Sequence, residues 1–399
     1  MVTFTNRENS AQDPERMDLS VEELSNAVSY NLYSNDTLFV ELSEGKVMAC
    51  YSGDGWYDRT EKYHEYFESE LMLSCFERLT KDKAFDLLRK WNLLRSFSYE
   101  YDSEMGAMVR NTRDGMPLII RKMEPRWKEL GGLDDSYSRA IYIGQGCWER
   151  LDTIDEEKAQ QILSEWGHSE RMQKYFDLMK ARHSVRQYLD KPIPEDVRKE
   201  LDEYTRRLNM DSALNIQIIY DEPECFSSAK AKYGSFKGCT NYISIVGDKR
   251  LGDFEMRCGY YGELLVLKAQ ELGLNTCWVA LTHGKSKAVV KDGEEEVIII
   301  SLGYGITQGM ERKSKKAESV SNISSDSPEW FKRGIEAALL APTAINQQKF
   351  KFTVSDNKVY LETGRIGPCL GIDLGIVRCH FELGAGRENF EWEYKPLKV

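Results

Sequence analysis

APTAINQQKFKF (341–352) is the stretch that organises this chain, because its core recurs earlier as SALNIQ (212–217). Both fit (Ser/Thr)-Ala-(Leu/Ile)-Asn-x-Gln, at an offset of 131 residues. Each copy follows a run with apolar residues at helical spacing, KELDEYTRRLNM or FKRGIEAALLAP. Each then leads into a strand-like run, IIY or FKFTV. A second match sits at an offset of 130: Arg182-His183-Ser184 against Arg312-Lys313-Ser314, with a basic residue two positions further on in each, Arg186 and Lys316. Ordered self-similarity of this kind marks duplicated units. Residues 166–399 therefore read as two related half-units, 166–316 and 317–399 in outline, the second shortened.

Outward from the repeat, DEEKAQQILSEW (155–166) and SERMQKYFDLMKARHSVR (169–186) are helical by periodicity. The second is expected to end at Tyr188-Leu189-Asp190-Lys191-Pro192, where proline stops it. PIPEDVRKELDEYTRRL restarts a helix with Pro194 in its first turn. NIQIIYD, YISIVGD and VIIISLG are strands by run and β-branched content. CGYYGELLVLKAQELGL (258–274) is a helix apolar on most sides, and 314–327 reads as a loop. Upstream, TLFVELS (37–43) and KVMACYS (46–52) form a hairpin across Glu44-Gly45. Residues 61–95 read as two helices, and PLIIRKM (117–123) and RAIYIGQG (139–146) as strands. Residues 1–165 are thus an N-terminal mixed α/β domain without a catalytic motif. Its Trp56, Trp91, Trp127 and Trp148 read as core rather than pocket lining.

The 399 residues carry 54 basic and 65 acidic side chains, a net charge of −11. Residues 1–165 hold −12 of this and the remainder +1. An acidic front half is a poor nucleic-acid binder, since that affinity rests on neutralising phosphates. The near-neutral remainder can still gather basic groups around a phosphate-bearing small molecule. No apolar run reaches the roughly 18–20 residues of a membrane helix, and the polar start is no secretory signal. A cytoplasmic protein without membrane or nucleic-acid partners is expected. The nine Cys never come within four residues of one another, and no H-x-x-x-H occurs. That spacing signals reduced thiols and no metal site.

Two look-alikes are set aside. Gly303-Tyr304-Gly305 with Gly309 has the wrong spacing for a dinucleotide turn, and MERKSKKAESVSN after it lacks an apolar helical face. Gly284-Lys285-Ser286 lacks the first glycine of a phosphate loop, Val279 standing there instead. Arg182-His183-Ser184-Val185-Arg186 is more informative. Arginines at i and i+4 with a hydroxyl between them suit a phosphate, which accepts charge-assisted bidentate bonds. Taken alone, the same cluster also suits a solvated basic helix end.

In order, RHSVRQY (182–188), GLNTCWVAL (273–281), SLGYG followed by Arg312-Lys313, and APTAINQQKFKF (341–352) resemble the motifs of the FMN-dependent nitroreductase family. The likeness is to its branch in which two halves share one chain. It implies an α+β fold with a sheet flanked by helices, and non-covalent FMN. In the family each flavin lies between two subunits, taking the arginine motif from one and the asparagine motif from the other. Here Asn215 follows Arg182 at the expected distance, but its motif has decayed to Met210-Asp211-Ser212-Ala213-Leu214-Asn215, and the intact version is in the second half-unit. The resemblance therefore implies an internal pseudo-dimer with one flavin site per chain, as a monomer or weak homodimer.

The implied assignments follow. Arg182 and Arg186, with Arg312 or Lys313, hold the FMN phosphate. His183 and Ser184 bind phosphate or the polar edge of the ring. The backbone after Trp278, around Ala280 and Leu281, runs along the isoalloxazine. Pro342, Thr343, Ala344 and Asn346 reach it from the other half. NAD(P)H would donate electrons to a nitroaromatic, quinone or similar small acceptor, with no catalytic side chain beyond the flavin. The alternatives are a non-catalytic flavin-binding protein whose N-terminal domain recruits a partner, and a dedicated oxidoreductase gated by residues 1–165.

Overall fold

The computed structural model describes residues 152–393 except 356, 357 and 365. Before them it describes parts of 16–129, chiefly 29–33, 37–43, 45–51, 56–60, 76–90, 97–103, 106–112, 117–122 and 127–129. The strand expected at 139–146, Trp91 and Trp148 lie outside the described residues. The chain packs as two units, Met1–Ser98 and Tyr99–Val399. The boundary expected at residue 165 rests on charge, whereas this one rests on packing.

In the first unit, six short strands pair antiparallel in the order Arg16–Met17, Trp56–Asp58, Val47–Tyr51, Thr37–Glu41, Ser29–Tyr33 and Phe76–Leu79. The expected hairpin sets Leu38 opposite Cys50 and Val40 opposite Met48. Strand alternation buries all four on one face, against Ala84 and Leu88 of the helix Lys81–Lys90. Of the two helices expected over 61–95, that one is present among the described residues. Phe76–Leu79, inside the same span, is a strand paired with Ser29–Tyr33. A sheet edge offers four residues more hydrogen bonds than a single helical turn does.

The second unit opens with a five-stranded sheet ordered Lys128–Glu129, Leu118–Arg121, Ala107–Thr112, Phe97–Asp102 and Asp152–Ile154. Buried Lys128 anchors it, its ammonium 2.8 Å from Glu124 and 2.6 Å from Asp211. After the helix Glu156–Glu165, capped by Asp155, come the elements that build the site. They are α1 (His168–Ala181), α2 (Glu195–Ser212), β1 (Gln217–Ile219), β2 (Asn241–Asp248), α3 (Phe254–Glu271), β3 (Asn275–Val279), β4 (Glu294–Gly303), α4 (Glu329–Leu339), β5 (Phe350–Ser355), β6 (Lys358–Thr363), α5 (Leu370–Ala385) and β7 (Glu391–Trp392). The first four strands form an antiparallel sheet ordered β1-β2-β4-β3. The last three form a sheet ordered β5-β6-β7, with β6 and β7 parallel.

α1 ends earlier than its periodicity suggests. From Arg182 the chain is extended (φ −73°, ψ 122°), and its donors leave the helix for backbone alongside it. Val185 N–H donates to Thr276 O at 3.0 Å, Tyr188 N–H to Lys237 O at 2.9 Å, and Leu189 N–H to Tyr304 O at 2.8 Å. Val185 and Tyr188 are buried in this docking, and the Tyr188 hydroxyl lies 2.6 Å from Ser301 Oγ. Tertiary pairing outweighs helix propensity here. The stretch 314–327, expected as a loop, contains the short helix Ala317–Val320.

α3 and α5 form the centre. Both are buried on nearly every side, as their all-round apolar sequences require. They pack backbone to backbone at reciprocal glycines. A Cβ on Gly259 would overlap the Ile372 carbonyl oxygen, and one on Gly375 would overlap the Met256 carbonyl oxygen. Beside α5, Phe331, Phe352, Phe381, Phe390 and Trp392 make an aromatic cluster, with Phe352 and Phe381 stacked at 4.4 Å.

Candidate functional site

A cleft of about 880 Å³ opens where these elements meet. One wall is the extended segment Arg182 to Gln187, with the end of β3 running on to Thr282 and the loop Thr307 to Arg312. The other wall is Pro342 to Asn346, together with the first turn of α5. Among the described residues no lining residue precedes Arg182. Of the thirteen residues singled out in the sequence, twelve line this cleft. Lys313 does not; its carbonyl instead accepts from Asn346 Nδ2 at 2.7 Å. The decayed copy, Ser212 to Gln217, lies elsewhere, where Asn215 Nδ2 donates to Glu294 at 3.1 Å.

The cationic wall is pre-positioned. In an extended segment Arg182, Ser184 and Arg186 share one side, so the i, i+4 spacing survives the loss of the expected helix. Arg182 is only 2% exposed. Arg312 donates from Nη2 to the Arg182 carbonyl at 2.7 Å, and burial beside Arg182 brings its guanidinium down to about 10. Gly309 has φ +84°, and a Cβ there would press on His183 Cβ at 2.6 Å. Burial, with Arg312 and Arg182 nearby, lowers the His183 pKa.

The second wall is held by its own polar groups. Ile345, Asn346 and Gln348 all have positive φ (49°, 53° and 43°), a strained backbone for residues with side chains. Several bonds over-determine it. Ala344 N–H donates to Asp373 at 2.9 Å, Gln347 Nε2 to Asp373 at 2.7 Å, and Gln348 N–H to Thr343 Oγ at 3.0 Å. Buried Gln348 Oε1 accepts from Lys315 N–H at 2.7 Å. The Asn and Gln of the repeated motif are therefore loop anchors. Asp373, which sequence reasoning missed, is pushed up to about 6 by burial.

Arg182 Nε, Arg312 Nη1 and His183 Nδ1 are buried without a hydrogen-bond partner. Arg182 Nε faces Glu263 Oε1 at 3.8 Å, whereas a buried donor with no partner, such as Arg312 Nη1, is costly, and an anion entering the cleft would pair it. The donor set fits a phosphate, and the cleft has room for a ring system beyond it. Fold and site together define a mixed α/β protein with a cationic cleft between an extended segment and a strained loop.

Residues 174–385, just over half of the chain, match the family described as "Putative TM nitroreductase", and the chain belongs to the nitroreductase family of flavin-dependent oxidoreductases. Among solved structures it is similar to a "putative nitroreductase" from Thermotoga maritima, with 25% identity over 54% of this chain and 86% of that one and a TM-score of 0.40. An FMN-dependent nitroreductase from Clostridium difficile is 17% identical over 36% of this chain and 92% of that one, with a TM-score of 0.28. A "putative NADH dehydrogenase/NAD(P)H nitroreductase" from Bacteroides thetaiotaomicron is 18% identical over 37% and 95%, with a TM-score of 0.30. No curated protein matches the chain.

Proposed function

We propose that the cleft holds one non-covalent FMN per chain and that the protein draws electrons from NADH or NADPH to reduce a nitroaromatic, quinone or related small acceptor. The observation that carries this reading is the buried pair of guanidiniums at Arg182 and Arg312, with Arg312 Nη1 lacking any hydrogen-bond partner, in a cleft that Pro342 to Asn346 close from the other side. Bound FMN supplies the two-electron chemistry, which side chains alone do not. Arg182, Arg186 and Arg312 hold the phosphate, with Ser184 and His183 at its edge. Trp278, Ala280 and Leu281 form the wall along the ring. Pro342, Thr343, Ala344 and Asn346 close the other side and exclude water, while Lys313 acts through its carbonyl on Asn346.

The same reading makes residues 166–399 an internal pseudo-dimer. The repeated motif and the reciprocal glycines Gly259 and Gly375 support it. Residues 1–165 are a separate region outside the chemistry, and the whole is a cytoplasmic monomer or weak homodimer. No helix among the described residues is long and apolar enough to cross a membrane.

The test is the visible spectrum of the purified protein before and after anaerobic NADPH or NADH. One FMN released per chain, with bleaching on reduction, is the expected result. Two per chain would overturn the pseudo-dimer, and a colourless protein that FMN cannot reconstitute would overturn the flavin site.

A further inference from the structure

Behind the cationic wall lie buried polar groups that those roles leave unused. Glu263, midway along α3, and His380, on α5, are both 0% exposed. Glu263 Oε2 accepts from the Trp278 indole N–H at 2.9 Å. Its Oε1 lies 2.8 Å from His380 Nε2 and 3.8 Å from Arg182 Nε. The other ring nitrogen of His380, Nδ1, lies 3.0 Å from the carbonyl oxygen of Ala337. Ala337 is in the last turn of α4, which runs directly into the Pro342–Asn346 wall. Glu263 and His380 thus join Trp278 and Arg182 on one wall to the root of the other.

The hydrogens do not add up without an extra proton. A backbone carbonyl only accepts, so Nδ1 must carry a hydrogen to bond Ala337. A neutral imidazole has one N–H. With it on Nδ1, Nε2 is a bare lone pair facing a carboxylate oxygen at 2.8 Å. In a fully buried site that contact is repulsive and no water relieves it. One more proton, on Nε2 or on Glu263, makes it a hydrogen bond.

We propose that Glu263 and His380 are a positioning pair holding one proton more than a carboxylate and a neutral imidazole, tying the two cleft walls together and leaving the charge of Arg182 uncancelled for an anionic ligand. With that proton the pair is neutral, so Glu263 does not offset the guanidinium beside it. Burial above all, with Arg182, lowers the His380 pKa and so disfavours a free imidazolium, while Glu263 and the Ala337 carbonyl pull the other way. The proton therefore belongs to the pair and not to either residue. The other charged groups nearby are accounted for. Arg312 acts from the cleft side with Arg182, and Arg378 and Glu382 on α5 bond each other at 2.8 Å. α4 contributes only the Ala337 carbonyl.

The pair's purpose rests on the flavin reading, but its proton does not, and two measurements separate them. FMN and riboflavin differ by the phosphate, so comparing their affinities isolates charge. In Glu263→Gln the amide can donate to Nε2 and its oxygen can accept from Trp278, reproducing the protonated pair. Both affinities are expected to stay within about twofold of wild type near neutral pH, because the variant keeps the pair's charge and hydrogen bonds. A rise of about tenfold for FMN with riboflavin unchanged would overturn the proposal, since Glu263 would then have been an anion cancelling Arg182. Nitrogen-15 resonances of labelled histidine in the wild-type protein give the second readout. A protonated His380 Nδ1 is expected, and an unprotonated one overturns the proposal whether or not flavin binds. If the wild-type protein binds neither flavin, the flavin reading falls, and an unprotonated Nδ1 would still overturn the extra proton.

Discussion

At the scale of single residues, Asp373 shows how the cleft is kept in shape and at what cost. Its carboxylate receives Ala344 N–H and Gln347 Nε2, yet burial raises it to about 6, well above an ordinary aspartate. The sign is opposite to that of a salt-bridged aspartate. The folded state binds its proton more tightly than the unfolded state, so this group's contribution is most favourable at low pH. It is lost as pH rises from about 4 through about 6, by up to about 3 kcal/mol. Thermal melts of wild type and Asp373→Asn across that window should diverge, the variant gaining relative stability as pH rises and holding it above 6. Parallel pH profiles would show that the carboxyl titrates normally. Asp373, Glu263 and His380 were also the residues least legible in the sequence. Each is a polar side chain among apolar neighbours in a largely buried helix, which announces burial but not a partner. Arg182, Ser184 and Asn346 were legible because their motifs are contiguous and ordered.

At the scale of elements, periodicity located the main helices and strands from 155 to about 355, missed the strand Asn275–Val279 and the elements after Ser355, α5 among them, and misplaced those ends that tertiary contacts decide. α1 stops at Ala181 because the next residues find backbone partners in Thr276, Lys237 and Tyr304. Phe76–Leu79 is a strand because Ser29–Tyr33 offers an edge. Neither partner is visible in the local pattern. The packing of α3 on α5 makes a sharper claim. Gly375→Ala would drive a Cβ into the Met256 carbonyl and force the helices apart, at a cost of about 3 kcal/mol. Chemical denaturation should read that loss, and flavin affinity should fall with it, because both cleft walls ride on these helices. A variant as stable as wild type would mean that the close approach is not kept in solution.

At the scale of the whole molecule, every described cleft residue lies at or beyond Arg182, while Met1–Ser98 packs as its own unit. A chain lacking Met1–Ser98 should retain FMN affinity within about twofold, as expected when a compact unit folds alone. Loss of flavin would instead assign the first unit a part in the site. The pairing of α3 with α5 has one more consequence. On the proposed pseudo-dimer reading, the reciprocal contacts of Gly259 and Gly375 make the two helices counterparts, and stepping along by the same register makes Cys379 the counterpart of Glu263 and Leu264 that of His380. The counterpart of the protonated pair is thus a buried thiol beside a leucine. A homodimer must repeat every substitution on both sides of its axis, and would have to bury two such pairs or none. A single chain escapes that constraint: one half can carry the polar pair while its twin keeps a thiol and a leucine in the same place.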